Sequence, residues 1–145
     1  YFKQVTASNI QVIKGGRNQY RCSFRVGEIY LNAAEAALMT GEAGIDVARE
    51  NLLTLMEKRY TANAYATKEA AVNVMGRDEL LQEIYNDRTR ELAFEGHRWF
   101  DLRRTTRPRL EKTFGGTSYV LEENDSRYTI RIPSEAIEAN PGLAN

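Results

Sequence analysis

The sequence predicts a mainly α-helical chain: an antiparallel helix pair over 23–60, a longer helix with its continuation over 77–107, and a small β-hairpin with a terminal turn over 115–145. Three observations carry this. Apolar residues recur at helical spacing from Phe24 to Tyr60, interrupted by the short link GEAG. Helical spacing returns from Asp78. Beyond the adjacent glycines Gly115 and Gly116, the composition turns to the β-branched and aromatic residues that suit strands.

Residues 1–22 read as an extended entry, in which NIQVIKGG runs to a turn at Gly15 and Gly16. From about Phe24 the first helix places Val26, Ile29, Tyr30, Ala33 and Ala37 on one face, with Leu31 and Leu38 toward the other side. Within this segment the Leu31 and Leu38 face is expected to lack a partner. Ala33, Ala34, Ala36 and Ala37 let a neighbouring helix approach closely, and Gly41 ends the helix. The second helix runs from about Ile45 to Tyr60 with Val47, Ala48, Leu52, Leu55 and Met56 on its apolar side. A short link between two such helices makes an antiparallel hairpin of tetratricopeptide-like character, and one pair alone cannot bury both of its faces. Residues 61–76 are small and polar and read as a loop. The third helix spans Asp78 to Glu95, bends at Gly96 and continues through HRWFDLRR toward Pro108. After Gly115 and Gly116, residues 117–121 and 127–132 read as a hairpin around END, and Ser134 as the cap of a short turn, SEAIEAN.

The 145 residues are the size of one modest domain, and Lys+Arg equals Asp+Glu at 20 each, so no net charge draws the chain to nucleic acid or an anionic membrane. Arg98, Arg103, Arg104, Arg107 and Arg109 do cluster, but Asp101 and Glu111 are interleaved with them. Cys22 is the only cysteine and His97 the only histidine, which excludes an intramolecular disulfide and a His-rich metal site. No cofactor is expected. No apolar run reaches the ~18 residues of a membrane span. The start, YFKQVTASNI, has no signal-like apolar stretch and no methionine, and reads as the interior of a longer chain.

The most informative stretch is DRTRELAFEGHRWFDLRR. On a helical wheel Leu81, Ile84, Arg88, Glu91, Leu92, Glu95 and Trp99 share a face, so an arginine and two acids interrupt an apolar stripe. Unpaired buried charge is costly, which predicts pairing among Arg88, Glu91 and Glu95 or with an adjacent helix, where Arg25 and Glu28 are the candidate partners. Carboxylates with a built-in cationic partner suit structural pairing better than acid–base chemistry. Arg98 and Asp101 extend the same pattern. Trp99 reads as core; Tyr60, Tyr65, Tyr119 and Tyr128 lie on loop or hairpin elements, and no ligand-contacting residue is assigned.

Three ordered blocks carry a family resemblance. RVGEIYLNAAEAALMTGE supplies Arg25, Glu28, Leu31, Ala34, Glu35 and Ala36 to the pattern R-x-x-E-x-x-L-x-x-A-E-A. IYNDRTRELAFEGHRWFDLRR supplies Arg88, Glu91, Leu92, Glu95, Gly96, Arg98, Asp101, Leu102 and Arg104. YTIRIPSEAIEANPGLAN supplies Ile132, Pro133, Glu135, Ile137, Asn140 and Pro141. Together they resemble the C-terminal part of the SusD/RagB family of outer-membrane nutrient-binding lipoproteins from Bacteroidetes-type bacteria. Asp87 stands where that family usually has glutamate, keeping the charge and shortening its reach.

The resemblance implies a partial domain of a larger α protein built on tetratricopeptide-like pairs. It also implies non-catalytic capture of oligosaccharides, or of peptides, at the cell surface for a SusC-like TonB-dependent transporter. The lipid anchor and the remaining N-terminal part of the protein would lie outside this segment, and the family's ligand-binding aromatics lie largely in variable loops, many of them upstream. Two other readings compete. A helical-repeat protein–protein interaction module follows from the helix pair alone, and a glycosidase from the spacing of Glu91 and Glu95.

Overall fold

The structure, a computed structural model, describes residues 2–6, 9–12 and 25–143. Cys22, Phe24 and the turn expected at Gly15 and Gly16 lie outside the described residues. The chain divides into two compact units, 1–96 and 97–145.

In the first unit, strands β1 (Phe2–Thr6) and β2 (Asn9–Val12) pair antiparallel. Four helices follow: α1 (Val26–Met39), α2 (Ile45–Glu57), α3 (Ala62–Val74) and α4 (Arg77–Glu91). Helix α1 packs against both α2 and α4, and α2 also packs against α3. The core joins Leu31, Ala34 and Leu38 of α1 to Ala48, Leu52, Leu55 and Met56 of α2, Val72 of α3, and Leu80 and Ile84 of α4. Leu31, Leu38, Leu52, Met56, Leu80 and Ile84 are fully buried, and each such side chain stabilises the fold by about 1.5–3 kcal/mol.

Two expectations are corrected here. Leu31 and Leu38, expected on a face without a partner, form the core line of α1, while Val26 and Ile29 are 68% and 60% exposed. With α2 and α4 both on one side of α1, the larger leucines face inward and the smaller stripe faces out. The second correction is α3, a helix where 61–76 read as a loop. ANAYATKEAAVNV buries only Val72 fully, so it carries almost no amphipathic signal. Its alanines supply high intrinsic helix propensity instead.

Helix α4 starts with the Gly76 N–H donating to the Glu79 carboxylate at 3.0 Å, which satisfies a backbone donor at the open helix end. It ends at Glu91, one turn before the expected Glu95, because Phe94 and Gly96 both adopt positive φ, 66° and 84°. The chain then re-enters helix as α5 (His97–Arg104).

The second unit contains α5, an antiparallel hairpin of β3 (Leu110–Phe114) and β4 (Thr117–Leu121), and the short helix α6 (Ser134–Ala139). The hairpin is displaced from the expected pairing of 117–121 with 127–132. Gly115 and Gly116 form its two-residue turn, with φ of 56° and 80°; two positive-φ residues match the strand twist as few other residues can. Residues Ser126–Tyr128 form a helical turn, capped by Asp125 accepting from the Arg127 N–H at 2.8 Å. Ser134 is the first residue of α6 rather than its cap, and Pro133 holds the cap position.

Candidate functional site

The charged residues of α4 are shared out among three helices. Glu91, one of the few buried carboxylates, accepts from Arg25 Nη2 at 2.6 Å, Arg59 Nε at 2.9 Å and Arg59 Nη2 at 3.0 Å. Arg25 Nη1 also donates to the Glu91 backbone carbonyl at 2.9 Å and pairs with Glu95. Arg88, equally buried, donates to Asn32 at 2.6 Å and to Glu28 at 3.2 Å. Five of the seven residues predicted as a charge cluster are thus joined in pairs across the first unit: Arg25 with Glu91 and Glu95, and Glu28 with Arg88. Arg98 and Asp101 belong to the second unit, where Asp101 accepts from Arg104 Nε at 3.1 Å.

Glu91 has room for this role because Gly27 faces it: a Cβ at Gly27 would lie 2.6 Å from Glu91 Oε1. The glycine is therefore a packing requirement, with α1 and the end of α4 in contact through the carboxylate.

A second row of acids on α4, at the four-residue spacing of Glu83, Asp87 and Glu91, was not singled out in the sequence. Glu83 accepts from Lys68 Nζ at 2.7 Å, tying α4 to α3. Burial pushes the Glu83 carboxyl up, but hydrogen bonds from Lys68 and Asn86 outweigh it and leave the group below its ordinary value. Asp87 accepts from the Tyr60 hydroxyl at 3.3 Å and pairs with Arg90. Here burial dominates, with the neighbouring Glu83 charge adding to it, and holds the carboxyl above its ordinary value against the hydrogen bond and charge of Arg90. Burial likewise raises the Tyr60 phenol.

Leu55, Arg59, Tyr60, Asp87, Arg90 and Glu91 line a cleft of about 210 Å³ at the end of α2 and along α4. Among these, Arg59, Tyr60 and Asp87 gave the sequence reading no cluster signal. The four-residue acid spacing is visible in retrospect, but nothing local indicates that the end of α2 folds back onto it.

The aromatic expectations divide. Trp99, expected in the core, is 37% exposed and stacks on the buried Tyr128 with centroids 5.2 Å apart and planes 10° from parallel. Tyr128 is anchored through its hydroxyl to the Pro108 carbonyl. Tyr65 lies on α3, packed against the core and donating to Glu69 at 3.2 Å. Tyr119 is exposed on β4.

Antiparallel helix pairs of this form make a tetratricopeptide-like helical fold. The model of the SusD family matches residues 1–145, and the chain belongs to that family. A search of curated proteins finds no match. The family is one of carbohydrate-binding, non-catalytic lipoproteins of the outer-membrane surface. Membership therefore implies nutrient or glycan binding at the outer membrane. No described helix is long and apolar enough to cross a membrane.

Proposed function

We propose that the protein captures oligosaccharides at the bacterial surface and delivers them to a SusC-like TonB-dependent transporter, without performing chemistry on them. The family match across 1–145 carries this reading. The site geometry is in keeping with it. Glu91 and Glu95 are each engaged by Arg25, and a carboxylate with a fixed cationic partner is a poor general acid or nucleophile. The protein is held at the surface by a lipid anchor outside this segment.

The exposed stripe of Val26 and Ile29 on α1 favours an additional contact, with the remaining N-terminal part of the same protein acting as the neighbour that a helical repeat needs. The test is purification of the tagged full-length protein from outer membranes, with mass spectrometry of what accompanies it and calorimetry against a panel of oligosaccharides. A stoichiometric TonB-dependent transporter together with binding of at least one glycan is the expected result. A protein that purifies alone and binds no member of the panel refutes the reading.

A further inference from the structure

We propose that the cleft between the end of α2 and α4 seats a single uncharged sugar ring, packed against Tyr60 and held by a hydrogen bond from Arg90 and one to the Tyr60 hydroxyl. The proposal rests on the glycan-binding reading above and adds where on this chain a sugar sits and which charge class it belongs to.

Size is the first argument. At about 210 Å³ the cleft is below the ~300–1,000 Å³ that encloses a drug-sized ligand, which leaves room for one ring of a longer chain whose remainder stays in solvent. Residue chemistry is the second. A pyranose has an apolar C–H face and a rim of hydroxyls; the cleft sets one aromatic ring, Tyr60, and one aliphatic side chain, Leu55, among planar polar groups. An aromatic ring with an apolar body and polar tip is suited to that mixed surface.

Charge selects the class. The cleft acids already have their counter-ions, Glu91 in Arg25 and Arg59, and Asp87 in Arg90. An anionic ligand would lie against the Asp87 and Glu91 carboxylates of the lining, and any pull on their guanidinium partners would weaken the pairing of buried charge. A cation would meet arginines at the rim, where Arg59 and Arg90 are 42% and 50% exposed. A neutral polyol disturbs neither pair. It also finds partners: both contacts of Arg90 to acids run through Nη1, so the rest of its guanidinium can donate outward. The Tyr60 hydroxyl donates to Asp87, and its oxygen can still accept. The polar groups are held in place before any ligand arrives, which lowers the ordering cost of binding.

Two substitutions in the full-length protein test this. Tyr60→Leu removes the ring and keeps apolar bulk. Arg90→Lys keeps a cation beside Asp87 and loses the flat fork of donors. Calorimetry would use neutral gluco-, manno- and xylo-hexasaccharides, with oligogalacturonate as the acidic comparison, alongside thermal melts of each variant. The expected result is binding of a neutral hexasaccharide by the wild type and a loss of about tenfold or more in each variant, the order expected for one lost ring or hydrogen-bonding contact. Arg90→Lys remains decisive if Tyr60→Leu does not fold. Unchanged affinity in a folded variant overturns the site while leaving the glycan reading intact. Binding of oligogalacturonate alone overturns the charge class, and binding of nothing in the panel overturns both readings.

Discussion

Replacing Gly27 with alanine should destabilise the protein, although alanine is the better helix former. Gly27 is the second residue of α1, so alanine gains only part of the ~1 kcal/mol that the exchange is worth in a helix interior. Against that gain, the new Cβ would sit 2.6 Å from Glu91 Oε1, 3.0 Å from its Cδ and 3.1 Å from its Cγ. The carboxylate must move by the better part of an ångström, and Oε1 is the atom that accepts from both Arg25 Nη2 and Arg59 Nη2. A hydrogen bond to a charged group contributes about 1.5–3 kcal/mol. Loss of one or two of them, less a first-turn helix gain of about 0.5 kcal/mol, gives a net loss of roughly 1–5 kcal/mol. Urea denaturation of the full-length protein measures it. A cycle with Glu91→Ala isolates the cause: once the carboxylate is gone, Gly27→Ala should become stabilising by about 0.5 kcal/mol. Stabilisation by Gly27→Ala in the wild-type background would refute the reasoning, since Glu91 would then have swung aside at no cost.

Three further outcomes are expected. Arg88→Ala removes a buried guanidinium that donates to the part-buried Glu28 and the exposed Asn32 and should cost about 1.5–3 kcal/mol. Arg90→Ala takes the cationic partner from the buried Asp87 and should cost a similar amount; an effect of Arg88→Ala within about 0.5 kcal/mol of zero in thermal melts would mean that Arg88 is merely solvated. Because the folded-state Asp87 carboxyl titrates above its unfolded value, the folded protein binds the proton more readily, and this site's contribution to stability rises as pH falls through the folded value. Wild type should therefore gain on Asp87→Asn between pH 7 and about pH 4 in chemical denaturation, and a relative loss would contradict the assignment. Glu91→Gln and Glu95→Gln should shift melting temperature without changing any hydrolysis of a glycan panel; product made by the wild type and lost in either variant would establish an enzyme.

The first two helices were readable because long apolar side chains at helical spacing mark helices whatever their final neighbours. Which face becomes core was not readable: Val26, Ile29 and Ala33 form as regular a stripe as Leu31, Ala34 and Leu38, and only the positions of α2 and α4 choose between them. Helix α3 was missed because alanine-rich helices advertise propensity rather than periodicity. The hairpin was displaced because Gly115 and Gly116 can equally end a segment or turn one, and the register follows from which flanking strands close around them. Arg25 and Glu28, on the first helix, are the partners the sequence reading offers for α4. Arg59 was not, since it lies at the end of α2, where an arginine is ordinary. Its role depends on a fold-back that no local pattern encodes.

The sharing of Glu91 between two arginines bears on how the unit assembles. Its partners lie 32 and 66 residues away along the chain, so neither pairing can form from neighbours in sequence. During folding the α4 carboxylate loses water as the leucine layer closes, and it regains partners only when both the entry to α1 and the end of α2 have arrived. An intermediate with one helix docked carries a dehydrated, half-matched charge and is penalised. Docking of the three segments is therefore expected to be concerted, and a native-state hydrogen-exchange experiment should find α1, α2 and the last turn of α4 opening as one cooperative block.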